Sequence, residues 1–219
     1  MSQQDIRKPQ ETGGETLSLR SDPLQIARLI EAESGGRLPP VHLWHPPFCG
    51  DIDMEIRRNG QWFYLGTPIN RAPLVKLFSS VLRRDEDDAY YLVTPVEKVR
   101  IRVEDAPFLI TTLEVLERDG ARFLQFTTQT GDVVVAGAEH PIWLEYRDGE
   151  PQPYVHVRDR LHALIGRNVY YELVGLGESG PAPSGHDGAG ATGEDGRGAD
   201  GREALLVESA GERFVIGHF

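Results

Sequence analysis

The sequence predicts an α+β fold built from two related units. Three observations lead to this prediction: alternating apolar residues that mark strands, segments with helical apolar spacing, and a repeated hairpin-helix-strand order. The chain has 219 residues, of which 39% are hydrophobic and 26% charged, so it can bury the core of one or two domains. We expect an N-terminal α+β domain over residues 21–96 and a C-terminal domain over residues 97–219.

The first elements are predicted to be a disordered arm and a short helix. Residues 1–20 are polar and lack periodic apolar positions, which is typical of disorder. In SDPLQIARLIEAESGG, Ser21 or Asp22 can cap a helix, Pro23 suits its first turn and Gly35 can end it. We expect this helix to dock on the domain as an arm.

The first unit is predicted to contain a hairpin, a helix and a strand. DIDMEIRRNGQWFYLG alternates apolar and polar residues around Asn59-Gly60, a typical hairpin turn. PINRAPLVKLFSSVL has apolar residues at i, i+3, i+4, i+7 and i+8 from Leu74, with Pro73 in the first turn, which predicts a helix. YYLVTP then returns as a strand.

The second unit is predicted to repeat this order. In IWLEYRDGEPQPYVHVRDRLHALIGRNVYYELVGLG, we expect a hairpin around Asp148-Gly149, a helix over RDRLHALIG capped by Gly166, and a strand over NVYYELVG. Arg71 then aligns with Arg160, so we predict an internal duplication. Tyr90-Tyr91 aligns with Tyr170-Tyr171 in the same comparison.

The C-terminal unit is predicted to hold more strands than the first. VRIRVED, FLITTLEVLE, RFLQFTT and VVVAG are β-prone runs separated by turns, so we expect a curved, mainly antiparallel sheet or partly open barrel closed by a helix. Residues 178–202 are dominated by small and polar residues, and we expect a disordered Gly-rich insertion there. The strands of LLVESAGERFVIGHF follow it.

Charge and cysteine content narrow the possible partners and the compartment. The formal net charge of −11 makes long duplex DNA an unexpected partner, because the phosphate backbone would be repelled. The first twenty residues lack the apolar centre of a secretory signal, no membrane segment is expected, and one cysteine agrees with a reducing compartment. We therefore expect a cytoplasmic protein.

The strand VEKVRIRVED places three cations on one face. Lys98, Arg100 and Arg102 alternate with apolar residues, and such a row repels itself unless an anion or carboxylates lie against it. A solvated sheet face is the alternative. Glu97 shares the apolar side, where it is expected to pair with Lys76 or Arg71.

Asp51 and Asp53 are expected to lie together on the polar face of their strand. They are predicted either to hold Arg71 or the Arg83-Arg84 pair in place or to be solvated. Aromatic rings near the cations could stack on a nucleotide base, and Trp44 and Tyr64 are the candidate walls.

The segment WHPPFCGDIDM also permits a metal or thiol site made of His45, Cys49, Asp51 and Asp53. This set mixes soft and hard donors and lacks a second ligand pair, so no metal and no cofactor is expected. We expect Cys49 to be a small buried hydrophobe, because adjacent aspartates disfavour a thiolate.

Two long strings resemble a known family. WHPPFCGDIDM and GTPINRAPLVKLFSSVLRRDEDDAYYLVTPVEKVRIRVEDAPF are similar to the bacterial family of domain of unknown function 1285, and the resemblance extends from Val41 to about Gly175. It implies a duplicated α+β core with a pleckstrin-homology-like C-terminal half. It also implies a signalling role and a nucleotide-like or nucleic-acid-derived ligand between the halves. The Gly-rich insertion departs from the family pattern.

The preferred hypothesis is a non-catalytic binding or signalling protein with an anionic ligand between its two units. The expected ligand-binding residues are Arg71, Lys76, Lys98, Arg100, Arg102, Trp44 and Tyr64. The expected supporting residues are Asp51, Asp53, Glu97, Arg83, Cys49 and His45. The alternatives are the metal- or thiol-dependent enzyme above and a scaffold that binds a protein partner through a sheet edge.

Overall fold

The computed structural model describes residues 26–28, 30, 38–181 and 203–218. Of these residues, 53% lie in strands and 15% are helical. The predicted α+β class with a hairpin-helix-strand order in each unit is therefore wrong, and the fold is mainly β. The long range of strand pairing explains the difference, because pairing partners far apart in sequence override local helical spacing.

The first sheet has six strands. They are Phe48–Ile56 (β1), Trp62–Tyr64 (β2), Thr67–Pro68 (β3), Leu82–Arg84 (β4), Tyr90–Val93 (β5) and Lys98–Val103 (β6). Their spatial order is β3-β2-β1-β6-β5-β4, and the central β1–β6 pair is parallel. A 3-10 helix, Val41–Leu43, precedes β1, and helix α1, Ala72–Ser80, connects β3 to β4.

The second sheet also has six strands, and a small third sheet follows. The second contains Phe108–Arg118 (β7), Ala121–Thr128 (β8), Val133–Val135 (β9), Ile142–Arg147 (β10), Glu150–Arg158 (β11) and Leu161–Ile165 (β12). Its order is β10-β11-β12-β7-β8-β9, with β12 and β7 parallel. Helix α2, Arg167–Gly175, comes next, before Glu178–Pro181 (β13), Glu203–Ser209 (β14) and Glu212–His218 (β15).

The two large sheets share one topology, which is consistent with a duplication. Each consists of two three-stranded meanders whose first and last strands lie side by side and parallel, so β1 corresponds to β7 and β6 to β12. The comparison of the two sequence segments paired different residues with each other. Tyr90-Tyr91 lies on β5 but Tyr170-Tyr171 lies on α2, so the predicted equivalence of these pairs fails.

The predicted helix and strand around Gly166 are exchanged in the structure. RDRLHALIG contains β12, which pairs with β11 and β7, and NVYYELVG forms most of α2. Gly166 therefore precedes α2 as its N-cap and does not end a helix. The hydrogen bonds available to β12 on both sides explain why its Leu-x-x-Leu-Ile spacing does not form a helix.

Several predicted boundaries can be compared with the sheets. β6 belongs to the first sheet, so the expected division between residues 96 and 97 falls inside that sheet. Residues 178–181 of the expected disordered insertion form β13 and pair with β14. The rest of that insertion, 182–202, and the predicted arm, 1–20, lie outside the described residues. The predicted N-terminal helix is helical at Ile26 and Ile30, and both side chains are buried.

One apolar core runs through the two large sheets. Phe78 of α1 is fully buried and stacks on Trp62, with ring centroids 6.2 Å apart. Phe108 and Ile110 of β7 join the same core. No helix in the described ranges is long and apolar enough to cross a membrane.

Candidate functional site

Two of the predicted ligand-binding cations form ion pairs on the solvent-exposed face of the first sheet. Arg100 donates two hydrogen bonds to Asp51, at 2.8 and 2.7 Å, and Arg102 donates one to Asp53 at 2.7 Å. The bond from Arg100 holds the pKa of the Asp51 carboxyl below its usual value. The two aspartates thus fix these cations, and they do not hold Arg71 or the Arg83-Arg84 pair.

A second ion-pair group surrounds Asp85. Arg83 donates to this carboxylate at 2.5 Å and Lys98 at 2.9 Å, while Arg83 also donates to the backbone oxygens of Val41 and Trp44. Burial acts to raise the pKa of Asp85, but the hydrogen bonds from Arg83 and Lys98 outweigh it and lower the pKa. Arg83 therefore anchors the segment before β1, and Lys98 is engaged by Asp85.

A cleft of about 570 Å³ opens between the two large sheets. Trp62, Ile69 and Val75 contribute apolar surface from the first unit, and Lys76 adds a cation from α1. The second unit contributes the turn between β8 and β9, including Gln129 and Thr130. Lys76 is the predicted binding residue that the structure places in this cleft.

The turn that forms one wall of the cleft is held by a hydrogen-bonded network. The hydroxyls of Thr128 and Thr130 both donate to Asp132, at 3.1 and 2.7 Å. Arg158 donates to the same carboxylate and, at 2.7 Å, to the backbone oxygen of Ser79 at the end of α1. The network thus positions the β8–β9 turn against the helix that carries Lys76.

Two N–H groups in residues that line the cleft lack a hydrogen-bond acceptor. The Trp62 side chain is buried, and its Nε1 has no partner among the described residues. Gln129 accepts a hydrogen bond from the Leu109 N–H at 2.6 Å through Oε1, which fixes its amide orientation, and its Nε2 likewise has no partner there. An unmade buried hydrogen bond is costly, and both N–H groups are covered by protein atoms, so they belong to the wall of the cleft and are not exposed donors for a ligand.

Most cations of the first unit form ion pairs, but Lys76 does not, and neither do Arg57 and Arg71 in the described ranges. Lys76 is exposed, and its Nζ lies 3.6 Å from the position that a Cβ on Gly131 would occupy, so the ammonium sits beside the β8–β9 turn. The cleft therefore offers a ligand one exposed cation beside apolar and amide side chains.

The other predicted binding residues lie outside the cleft lining. Arg71 is exposed at the start of α1, and its carbonyl accepts from the backbone N–H groups of Leu74 and Val75. Trp44 and Tyr64 are half-buried against the core. Glu97 is half-buried in the turn before β6, and the predicted ion pair with Lys76 or Arg71 is not formed in the described part of the chain.

The proposed metal or thiol site does not assemble around Cys49. Asp51 and Asp53 are engaged by arginines, and no group of three or more metal-binding side chains occurs in the described ranges. The expectation that Cys49 is buried is wrong, because Phe48 and Cys49 both face solvent at the start of β1. Its Sγ donates only to the Pro47 oxygen, at 3.5 Å.

We expect Cys49 to be alkylated in the folded protein. Because the thiol is exposed at the start of β1 and the chain has one cysteine, iodoacetamide should add a single label without denaturant. Intact-protein mass spectrometry measures the labelled fraction, and Cys49→Ser is the control. Labelling that requires urea would show that the thiol is covered.

A polar cluster that the sequence analysis missed also joins the two units. Asp105, in the connection between β6 and β7, accepts hydrogen bonds at 2.8 Å from both Arg147 and Tyr154. Arg58 of the first unit lies 3.4 Å from the other carboxylate oxygen. Burial and the bond to Asp105 raise the pKa of the Tyr154 hydroxyl, which therefore stays protonated as a donor. No sequence motif marked these residues, because Asp105 was interpreted only as a turn residue.

The comparisons with known proteins identify a family without an assigned activity. Residues 39–106 match "Domain of unknown function (DUF1285), N-terminal domain", and residues 107–195 match "Protein of unknown function (DUF1285), C-terminal domain". No curated protein matches the chain.

Two crystal structures of this family are similar to the chain. A DUF1285 family protein from Silicibacter pomeroyi DSS-3 is 45% identical, with a TM-score of 0.73, over 90% of this chain and 95% of that one. Another, from Shewanella baltica OS155, is 34% identical, with a TM-score of 0.45, over 56% of this chain and 90% of that one. Neither description confirms the pleckstrin-homology likeness. On the family matches and the 45% identity, the chain belongs to the DUF1285 family.

Proposed function

We propose that the chain is a non-catalytic cytoplasmic binding protein that holds a small anionic ligand in the cleft between its two large sheets. The observation that supports this most directly is the Lys76 ammonium, which lines the cleft without a carboxylate partner in the described ranges. An anion in the cleft would pair with this ammonium.

The lining of the cleft supports binding over catalysis. It consists of apolar, amide, hydroxyl and glycine residues with one lysine, and it contains no Asp, Glu, His or Cys side chain. General acid-base catalysis employs those four groups together with lysine and tyrosine, and of all these the lining contains only Lys76. The cleft volume of about 570 Å³ falls in the range that small-molecule sites occupy.

The indole N–H of Trp62 offers a direct readout of ligand binding. The chain has three tryptophans, so a ¹⁵N-labelled sample should give three indole signals, which Trp44→Phe and Trp143→Phe assign. Titration with nucleoside monophosphates, inorganic phosphate and small carboxylates is expected to shift the Trp62 signal with at least one anion. The Trp44 and Trp143 signals, which come from outside the cleft lining, should move little.

A matched pair of variants tests the part played by Lys76. Lys76→Gln is expected to weaken binding by about threefold or more, because the lost cation is exposed and its contribution is screened by solvent. Arg102→Gln removes a cation whose partner is Asp53 and should leave the affinity unchanged. If no anion shifts the Trp62 signal, or if Lys76→Gln binds as well as the parent protein, the proposal is wrong.

A further inference from the structure

Four backbone amides that line the cleft are already used within the protein. Gly60 donates to Arg57 at 2.8 Å, Gln129 to Leu109 at 2.9 Å and Gly131 to Thr128 at 3.0 Å. The Gln61 N–H donates to the side chain of Asn59 at 3.0 Å. These amides, which would otherwise resemble a phosphate-binding nest, are therefore not free to hold phosphate oxygens.

The start of α1 is similarly unsuited to phosphate. Pro73 has no N–H group, and the N–H groups of Leu74 and Val75 both donate to the Arg71 oxygen, at 2.9 and 3.1 Å. Phosphate sites at helix starts depend on several free N–H groups of the first turn. Arginine, the other common phosphate ligand, does not line the cleft.

We infer that the ligand of this cleft is a monocarboxylate with an apolar body, and that it is neither a phosphate nor a nucleotide. This inference rests on the proposed function. One lysine matches a single negative charge, and a carboxylate can accept hydrogen bonds from its ammonium.

The apolar part of the cleft gives the ligand its second feature. Ile69, Pro73 and Val75 line the cleft together with the Trp62 ring, so most of the first unit's wall is apolar. A small anion without an apolar group would leave this wall in contact with water, whereas an aryl or alkyl group of the ligand would cover the wall. The combination of an apolar wall with one cation is the reason to expect an amphipathic acid.

Three probes of similar size and one larger nucleotide separate the possible outcomes. They are 3-phenylpropanoate, the uncharged 3-phenylpropanamide, the dianionic phenyl phosphate and adenosine monophosphate, each titrated against the parent protein and Lys76→Gln. We expect 3-phenylpropanoate to shift the Trp62 indole signal and to bind about threefold or more tightly than the amide. It should also bind more tightly than both phosphates, and Lys76→Gln should remove its advantage over the amide.

The contrary results distinguish this inference from the proposed function. Tighter, Lys76-dependent binding of phenyl phosphate or adenosine monophosphate would overturn the monocarboxylate and leave an anion site in the cleft. Equal binding of the amide and the carboxylate, or no response of Trp62 to any probe, would overturn both. A urea denaturation curve for Lys76→Gln, expected to match the parent protein, shows that the variant is folded.

Discussion

Replacing Asp105 with alanine should lower the free energy of unfolding by about 3 kcal/mol. The Asp105 side chain is 1% exposed, and its carboxylate accepts hydrogen bonds from Arg147 and Tyr154. Removal leaves the buried Tyr154 hydroxyl without its acceptor, a loss worth about 1–3 kcal/mol by itself. Arg58 and Arg147 are partly exposed, so water can solvate them, and this keeps the expected loss at the lower end for a broken buried ion pair.

The comparison with an exposed aspartate isolates the effect of burial. Asp51 also accepts two hydrogen bonds from an arginine, but both partners are about half exposed. Asp51→Ala is therefore expected to lower the free energy of unfolding much less than Asp105→Ala does. Urea unfolding followed by circular dichroism measures both variants. Equal losses for the two would show that Asp105 is not a buried clamp between the units.

Local sequence signals were sufficient where the structure depends on neighbouring residues. The Asn59-Gly60 turn lies between β1 and β2, with Gly60 at a φ of +78°, as the dipeptide predicts. Helix α1 follows from the spacing that begins at Leu74 and from Pro73 in its first turn. The polar face of β1 carries Asp51 and Asp53 as strand alternation requires.

Long-range pairing explains the elements that were mispredicted. β12 is a central strand because β7, more than fifty residues earlier, pairs with it in parallel. Nothing in the segment RDRLHALIG itself records that partner. The helix therefore lies later in the chain than predicted, because the residues after Gly166, where β12 has ended, form α2.

The residues of the candidate site could be predicted only in part from the sequence, because long-range pairing brings them together. Lys76 was selected as a cation on a helix, but its neighbour in the cleft is a turn from the other unit. Gln129, Thr130 and Trp62 were not among the predicted site residues, because no local motif marks them. The sequence indicated that the cations of β6 share one face of the strand. It did not indicate their carboxylate partners on β1, because these follow from the parallel β1–β6 register.

Replacing Gly166 with alanine should lower the free energy of unfolding by about 2 kcal/mol, because the added methyl group would overpack a backbone contact. A Cβ on Gly166 would lie 2.7 Å from the backbone oxygen of Ile110, which also accepts the Gly166 N–H at 3.1 Å. Rotating a side chain cannot relieve this clash, so β12 or the start of α2 must move away from β7. Gly175→Ala is the matched control: it lies in α2 with nothing within 4 Å of the new methyl group and should be neutral or stabilising by up to about 1 kcal/mol. Urea midpoints for the two variants measure the difference, and a Gly166→Ala midpoint at or above that of Gly175→Ala would mean that this contact is not tight.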